Sequence, residues 1–323
     1  MKKKKVIILS ILVCLIVVFF TAYRFVIVGG RIIKIDANPD KGFYTEYYLF
    51  IPDTIKASDS TFLLVESNNT GFVDDSHKKH MNAAYHTIRL GQPNWIARKL
   101  GIPLLIPCFD RPESHWRMYT HALDRDSLLC GNDSLVRVDR QLNYMIDDAK
   151  TILATKGIYL KDKIFLNGFS ASGSFGNRFA ALYPERVAAV SAGGINGLAI
   201  LPMDNLQDYK LIYPVAIADI KQIAGLEFQL PVFASIPQYY YMGADDENDA
   251  LPFDDAYSSL EREIIIDTLG EDMNVRWDNC QKLYESQGIN AVFNIFEGVG
   301  HETTAEIDAD IVSFFMQVMD EYK

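Results

Sequence analysis

Lys163-Ile164-Phe165-Leu166-Asn167-Gly168-Phe169-Ser170-Ala171-Ser172-Gly173 is the stretch that decides how this 323-residue chain is read. Ile164, Phe165 and Leu166 make a short apolar run, as a strand buried on both faces requires. Beyond Gly173 the apolar positions Phe175, Phe179, Ala180 and Leu182 change to helical spacing. The pattern between them predicts a tight turn with Ser170 at its apex. A serine there is pushed out of the sheet toward solvent, and the N–H groups that open the helix can receive an oxyanion. Gly168, Ala171, Ser172 and Gly173 supply the small residues that a helix starting directly under a serine needs. A glycine-rich phosphate loop competes for the same residues, but the Gly-Lys-Ser/Thr ending of such loops is missing.

Composition sets the frame around that turn. With 49% hydrophobic residues the chain can build a large core, which excludes global disorder. The formal charge of −11 argues against nucleic acid and other anionic polymers as partners. A well-solvated surface is the plainer meaning of the same acidity. Met1 to Lys5 is basic, and Val6 to Tyr23 carries no charge. Eighteen residues at about 1.5 Å each span roughly 27 Å, close to the hydrocarbon thickness of a bilayer. Residues 1–25 are therefore expected to form a cytoplasmic basic cluster and one transmembrane helix, with residues 26–323 outside the cell membrane. A cleaved signal, leaving a secreted protein, is the alternative, although Phe20-Thr21-Ala22 puts a bulky residue at the outer cleavage position. Of the cysteines, Cys108, Cys130 and Cys280 follow that segment. They are expected as core thiols, with a Cys108–Cys130 bridge as the alternative. No CxxC pair or His/Cys spacing points to zinc.

Along the chain, Arg31 to Asp36 and Glu46 to Ile51 read as strands flanking an Asn38-Pro39-Asp40-Lys41-Gly42 turn. Thr61 to Glu66 is a central strand, ending in Ser67-Asn68-Asn69-Thr70-Gly71. A helical segment over His80 to Leu100 and a strand over Pro103 to Phe109 follow. The loop from Asp110 to Asp126 is dense in aromatic, imidazole and guanidinium groups and leaves a strand's carboxyl end, where α/β folds place ligands. Trp116, Tyr119 and His121 are candidates for a substrate-pocket wall. Alternatively Arg111, Asp124 and Arg125 form an ion-pair knot that pins the loop. His77, His80 and His86 read as helix-surface residues. Leu135 to Lys156 carries a helical apolar stripe, and Val187 to Ser191 is a further strand, with Ala192-Gly193-Gly194 turning close to the serine. Residues 195–231 show no clear period and read as a lid-like insertion. Tyr239 to Met242 is a strand running into the acidic turn Gly243-Ala244-Asp245-Asp246-Glu247-Asn248-Asp249, which could also be a solvated or calcium-binding loop. Ala291 to Phe296 is the last strand, followed by Glu297-Gly298-Val299-Gly300-His301, where glycines let a histidine swing over the sheet edge. A helix over Thr303 to Glu321 closes the chain.

The Gly168-x-Ser170-x-Ser172-Gly173 turn resembles the nucleophile elbow of the α/β-hydrolases, with Ser172 in place of the usual last glycine. Phe169 to Gly173 followed by Arg178-Phe179-Ala180-Ala181-Leu182-Tyr183-Pro184 is most similar to the polyhydroxybutyrate-depolymerase and feruloyl-esterase branch. Val65-Glu66-x-Asn68-Asn69-Thr70-Gly71 and Tyr119 to Arg125 resemble poorly characterised bacterial hydrolases. The resemblance covers about residues 30–323. It implies an α/β fold with a mostly parallel central sheet flanked by helices. It also implies a chain order of nucleophile, acid and base met by Ser170, Asp246 and His301. The acid is expected in a Gly-x-x-Asp turn, which selects Asp246, with Asp249 and then Asp245 as the next choices. The N–H of Ala171 and one from Asn68, Asn69 or Thr70 would form the oxyanion hole. The implied activity is ester hydrolysis through an acyl-enzyme, on a small-molecule or polymer ester, with no cofactor. A serine peptidase or amidase using the same triad, and an inactive surface binding protein, are the alternatives.

Overall fold

The computed structural model describes residues 28–55, 60–131 and 134–322. Among the described residues there are ten strands: β1 (Gly30–Ile35), β2 (Tyr47–Pro52), β3 (Leu64–Val65), β4 (Leu104–Pro107), β5 (Ile164–Phe169), β6 (Val187–Gly193), β7 (Asn205–Leu206), β8 (Tyr209–Lys210), β9 (Gln238–Gly243) and β10 (Ala291–Phe296). Eight of them form one sheet in the order β1-β2-β4-β3-β5-β6-β9-β10, with β7 and β8 as a separate hairpin. β2 runs antiparallel to β1 and β4, and the remaining neighbours are parallel.

Alternation along the strands assigns side chains to two apolar layers. Leu49, Leu105, Leu166, Val190, Tyr240 and Met242 point to one face. Phe50, Leu104, Phe165, Ala189, Tyr239 and Tyr241 point to the other. The helices are α1 (His77–Leu90), α2 (Gln92–Leu100), α3 (Arg125–Leu129), α4 (Val138–Ala154), α5 (Ala171–Leu182), α6 (Ile220–Ala224), α7 (Leu230–Ser235), α8 (Ser259–Leu269), α9 (Met273–Ser286) and α10 (Ala305–Glu321). α4, α5, α8 and α9 cover the first face, and α1, α2 and α10 cover the second. Phe165 joins sheet to helix on the second side: its ring stacks on Phe62 at 4.1 Å and on Phe315 of α10 at 4.8 Å. The α4 stripe is the expected one, with Val138, Leu142, Met145, Ile146 and Ala149 buried.

Two expectations change. The single helix expected over His80 to Leu100 is two, parted at Gly91. Pro93 explains the break, because it cannot donate to a preceding turn and its ring would clash with the carbonyl four residues back. Residues 195–231 are packed into the body: Leu198, Ala199, Ile200, Leu201, Leu211, Tyr213, Val215 and Ala216 all belong to the first core. The apolar content that gave this segment no helical or strand period goes into irregular, buried chain. Cys108 and Cys280 are buried thiols as expected, Cys130 is half-buried, and the alternative Cys108–Cys130 disulfide is absent among the described residues. The expected transmembrane segment, Val6 to Tyr23, lies outside the described residues. Among those described, no helix is long and apolar enough to cross a membrane.

Candidate active site

β5 ends at Phe169 and α5 begins at Ala171, so Ser170 makes the whole turn. Its backbone is held at φ 60° and ψ −127°, a region that non-glycine residues rarely occupy. The Ser170 N–H donates to the Gly193 carbonyl of β6 at 2.8 Å, and its own carbonyl accepts from Ser174 N–H at 3.0 Å. The small neighbours are needed for space. A Cβ at Gly168 would lie 2.3 Å from the Ser172 carbonyl carbon, and one at Gly173 would lie 2.8 Å from the Gly193 oxygen. Ser172 is accommodated because its hydroxyl closes the turn, accepting from Phe169 N–H (3.0 Å) and donating to the Phe169 carbonyl (2.9 Å). The Ala171 N–H opens α5 and so has no partner within the helix. Below the turn, Asn167 donates to the Glu66 carboxyl at 2.5 Å, and burial pushes that carboxyl up to about 8.

The acidic turn after β9 and the histidine turn after β10 lie side by side because their strands are parallel neighbours. They meet through main chain. Asp245 N–H donates to the Val299 carbonyl at 3.0 Å, and a Cβ at Gly243 would sit 2.1 Å from that same oxygen. Asp246 is buried, and its Oδ2 lies 2.8 Å from His301 Nδ1; its Oδ1 accepts from Asn248 N–H at 2.9 Å. A carboxylate can only accept here, so His301 carries its proton on Nδ1 and presents a lone pair at Nε2. That lone pair accepts from the Asn248 side-chain amide at 3.0 Å. The imidazole packs on the Phe169 ring (centroids 4.7 Å apart) and over Gly194, where a Cβ would come within 3.0 Å of its Cε1. The other two acids go elsewhere. Asp249 accepts from Arg276 Nη2 at 2.6 Å, and Asp245 is exposed.

Ser170, Ala171 and Asn248 line one small cleft of about 50 Å³, together with Tyr119, Arg178, Asn196 and Tyr257. The cleft therefore lies between the elbow serine and the residue bonded to His301 Nε2. Among the described residues, no hydrogen bond joins Ser170 Oγ to His301 in this state.

The three expected wall residues separate. Tyr119 lines the cleft, with the Arg111 guanidinium stacked 3.6 Å from its ring centre. Trp116 does not. It is 44% exposed beside a short 3₁₀ turn, in an open depression formed with Phe72, Arg111 and Asp255. His121 is fully buried, donating from Nε2 to the Phe109 carbonyl at 2.8 Å, and burial pushes it down to about 3. It is a neutral core imidazole. The alternative ion-pair knot also does not form, since Arg111 pairs with Asp255, Arg125 with Asp219, and Asp124 caps α3. Nor are the three histidines of α1 alike. His86 is exposed, His80 is buried, and His77 bridges Asp110 (2.6 Å) and Glu46 (2.7 Å).

β3 is the parallel neighbour of β5, so the loop carrying Asn68, Asn69 and Thr70 leaves the same edge of the sheet as Ser170. The Asn68 side chain is spent on the Phe109 main chain, donating to its carbonyl (2.8 Å) and accepting from its N–H (3.0 Å). Asn69 Oδ1 accepts from Gly71 N–H at 3.1 Å, and the Thr70 hydroxyl donates to the Phe72 carbonyl at 2.9 Å.

No family model matches the chain, and no curated protein matches it in sequence. Solved structures do. The chain is similar to poly(aspartic acid) hydrolase-1 from Sphingomonas sp. KT-1, with TM-score 0.55 and 14% identity over 89% of this chain and 98% of that one. It is also similar to the poly(3-hydroxybutyrate) depolymerase LpqC from Bordetella parapertussis, with TM-score 0.56 and 16% identity over 90% of each chain. An S-formylglutathione hydrolase from Agrobacterium tumefaciens gives TM-score 0.54 and 11% identity over 91% and 96%. The chain has the α/β-hydrolase fold. Asn248, Arg178, Asn196 and Tyr257 are among the cleft residues to which sequence reasoning gave no role. Arg178 had a visible signal, as the one charged residue of α5, set between Phe175 and Phe179. Asn196 and Tyr257 come from distant irregular chain and carried none.

Proposed function

We propose that the protein is a serine hydrolase that cleaves a carboxylic ester through an acyl-enzyme. The observation that carries this reading is the buried Asp246 held 2.8 Å from His301 Nδ1, with Nε2 bonded to Asn248, which lines the same cleft as Ser170. A free serine hydroxyl is a weak nucleophile at neutral pH and needs an adjacent base. His301 has the tautomer for that task, and Asp246 both fixes it and stabilises the imidazolium that forms. The Asn248 amide gives up Nε2 so that Ser170 can donate to it; such contacts commonly tighten only when substrate is bound. Ser170 Oγ then attacks the ester carbonyl, its proton passing to His301 Nε2. The oxyanion is received by the Ala171 N–H and by an N–H of the Asn68 to Thr70 loop, each such donor contributing roughly 3 kcal/mol to lowering the barrier. His301 returns the proton to the departing alkoxide, and the same base activates the water that frees the acyl group. The hydrolase and depolymerase names of the similar structures support the reaction class. The basic cluster and the charge-free run from Val6 to Tyr23 support a membrane-tethered domain facing outward, acting on a small-molecule or polymer ester.

The test is a panel of p-nitrophenyl esters and peptide anilides on the full chain, with Ser170→Ala as control and a fluorophosphonate label on the serine. Ester turnover lost by about 10³-fold or more in the mutant is the expected result. Turnover of the anilides in preference to the esters would make it an amidase. Neither turnover nor labelling would overturn the reading.

A further inference from the structure

Arg178 lies two turns along α5 from Ser170, and both line the cleft. It is only 6% exposed. Its Nη1 donates to the Ala122 carbonyl at 2.8 Å and its Nη2 to the Tyr257 hydroxyl at 3.3 Å, both neutral acceptors. Among the described residues no acid forms an ion pair with it. The contrast with its neighbours is direct: Arg111 and Arg276, buried to a similar degree, are paired with Asp255 and Asp249. Of the acids around this wall, Asp124 accepts from Ser127 and Glu261 Oε2 accepts from Ser258 N–H; Glu261 feels the Arg178 charge but makes no hydrogen bond or ion pair with it.

A buried charge with no acid paired directly to it is costly, and it persists where further polar contacts compensate it. A guanidinium has five N–H donors, and the two partners above leave three unassigned. Helical side chains lean toward the helix N-terminus, so the Arg178 fork reaches back toward Ser174 and Ser170. Eight residues at about 1.5 Å put its backbone about 12 Å from the nucleophile's level, and the lean shortens that for the side chain. Ala122, Ala171 and Ala256 keep the intervening wall low, and the cleft's small volume suits a short chain rather than a long aliphatic one. A guanidinium recognises a planar carboxylate through paired hydrogen bonds.

We propose that Arg178 is an anion subsite in the Ser170 cleft and that the ester this protein hydrolyses carries a short carboxylate-bearing substituent. The word "ester" rests on the serine-hydrolase reading; the subsite does not. Two measurements separate them. The first is turnover of mono-p-nitrophenyl succinate against p-nitrophenyl butyrate, and of 4-carboxyphenyl acetate against phenyl acetate, by the wild type, Arg178→Gln and Arg178→Lys. A carboxylate on the acyl side is read in the first pair and on the leaving side in the second. The expected result is that Arg178→Gln lowers kcat/KM for the carboxylate ester of one pair by about tenfold or more beyond its neutral mate. Arg178→Lys should recover part of that preference. Equal loss for both members of both pairs would overturn the subsite.

Because Arg178 also holds the Ala122 carbonyl, Arg178→Gln could fail to fold. The second measurement therefore uses Ser170→Ala, which cannot turn over. Succinate is expected to raise its melting temperature and bind in calorimetry, while succinamide does neither. Succinate binding without any ester turnover leaves the subsite standing and removes the hydrolase reading. Turnover of neutral esters with no succinate binding and no carboxylate preference removes the subsite alone.

Discussion

Two loop regions at the carboxyl edge of the sheet behaved differently. The turns after β9 and β10 put Asp246 and His301, two residues singled out by the resemblance, within 2.8 Å of each other. The loop after β4 scattered its three aromatic and imidazole residues: Tyr119 into the cleft, Trp116 to solvent and His121 into the core. The difference lies in what fixes each side chain. In the first region Gly243 lets two main chains pack close together, and adjacent parallel strands leave little freedom in where the side chains emerge. In the second, a run of short turns can rotate each residue independently, and its direction is decided by Asn68, Phe109 and Arg111, which come from other parts of the sequence or from across the loop.

The comparison can be broken most sharply with the acids. Asp246→Asn should lower kcat by about 10³- to 10⁴-fold with the fold intact, because the imidazole loses the acceptor that sets its tautomer. Asp249→Asn should leave kcat near that of the wild type but cost about 3 kcal/mol of stability, because it strands the buried Arg276. Kinetics beside denaturant melts check both, and equal kinetic losses would show that the acidic turn does not single out Asp246. A smaller effect tests the other loop. Tyr119→Ala should raise KM on the order of tenfold by removing a cleft wall, and Trp116→Ala should change it less than about twofold.

The smallest effect concerns His77, which ties that loop's Asp110 to Glu46. The hydrogen bond to Asp110 comes first among the groups that hold its pKa up, at about 9, against the opposing effect of burial. A folded pKa above the ordinary histidine value of 6.5 means the stabilisation is complete below that pH and is lost as pH rises through about 9. His77→Gln should therefore flatten the fall in melting temperature across that window, and an unchanged slope would assign the fall to other groups.

The sheet was legible because its strands are short apolar runs with turn residues at each end, and the last strand, Ala291 to Phe296, has the expected bounds. The elbow was legible because few residues tolerate such a turn, so its small neighbours mark it. Ser172 shows the limit of motif reading: its hydroxyl does locally what a glycine would have left undone. Residues 195–231 were read as a lid because irregular chain has no period even when it is buried. Asn248 was passed over because an amide between acids looks like solvated loop until His301 is placed beside it.

Gly243 gives the Asp246–His301 pair a mechanical property. With the Val299 oxygen lying where a side chain would begin, the two turns are effectively riveted, and neither partner can drift without dragging the other. Grafting a new loop at either position would therefore require replacing both, whereas Ser170 is carried by a separate turn between β5 and α5.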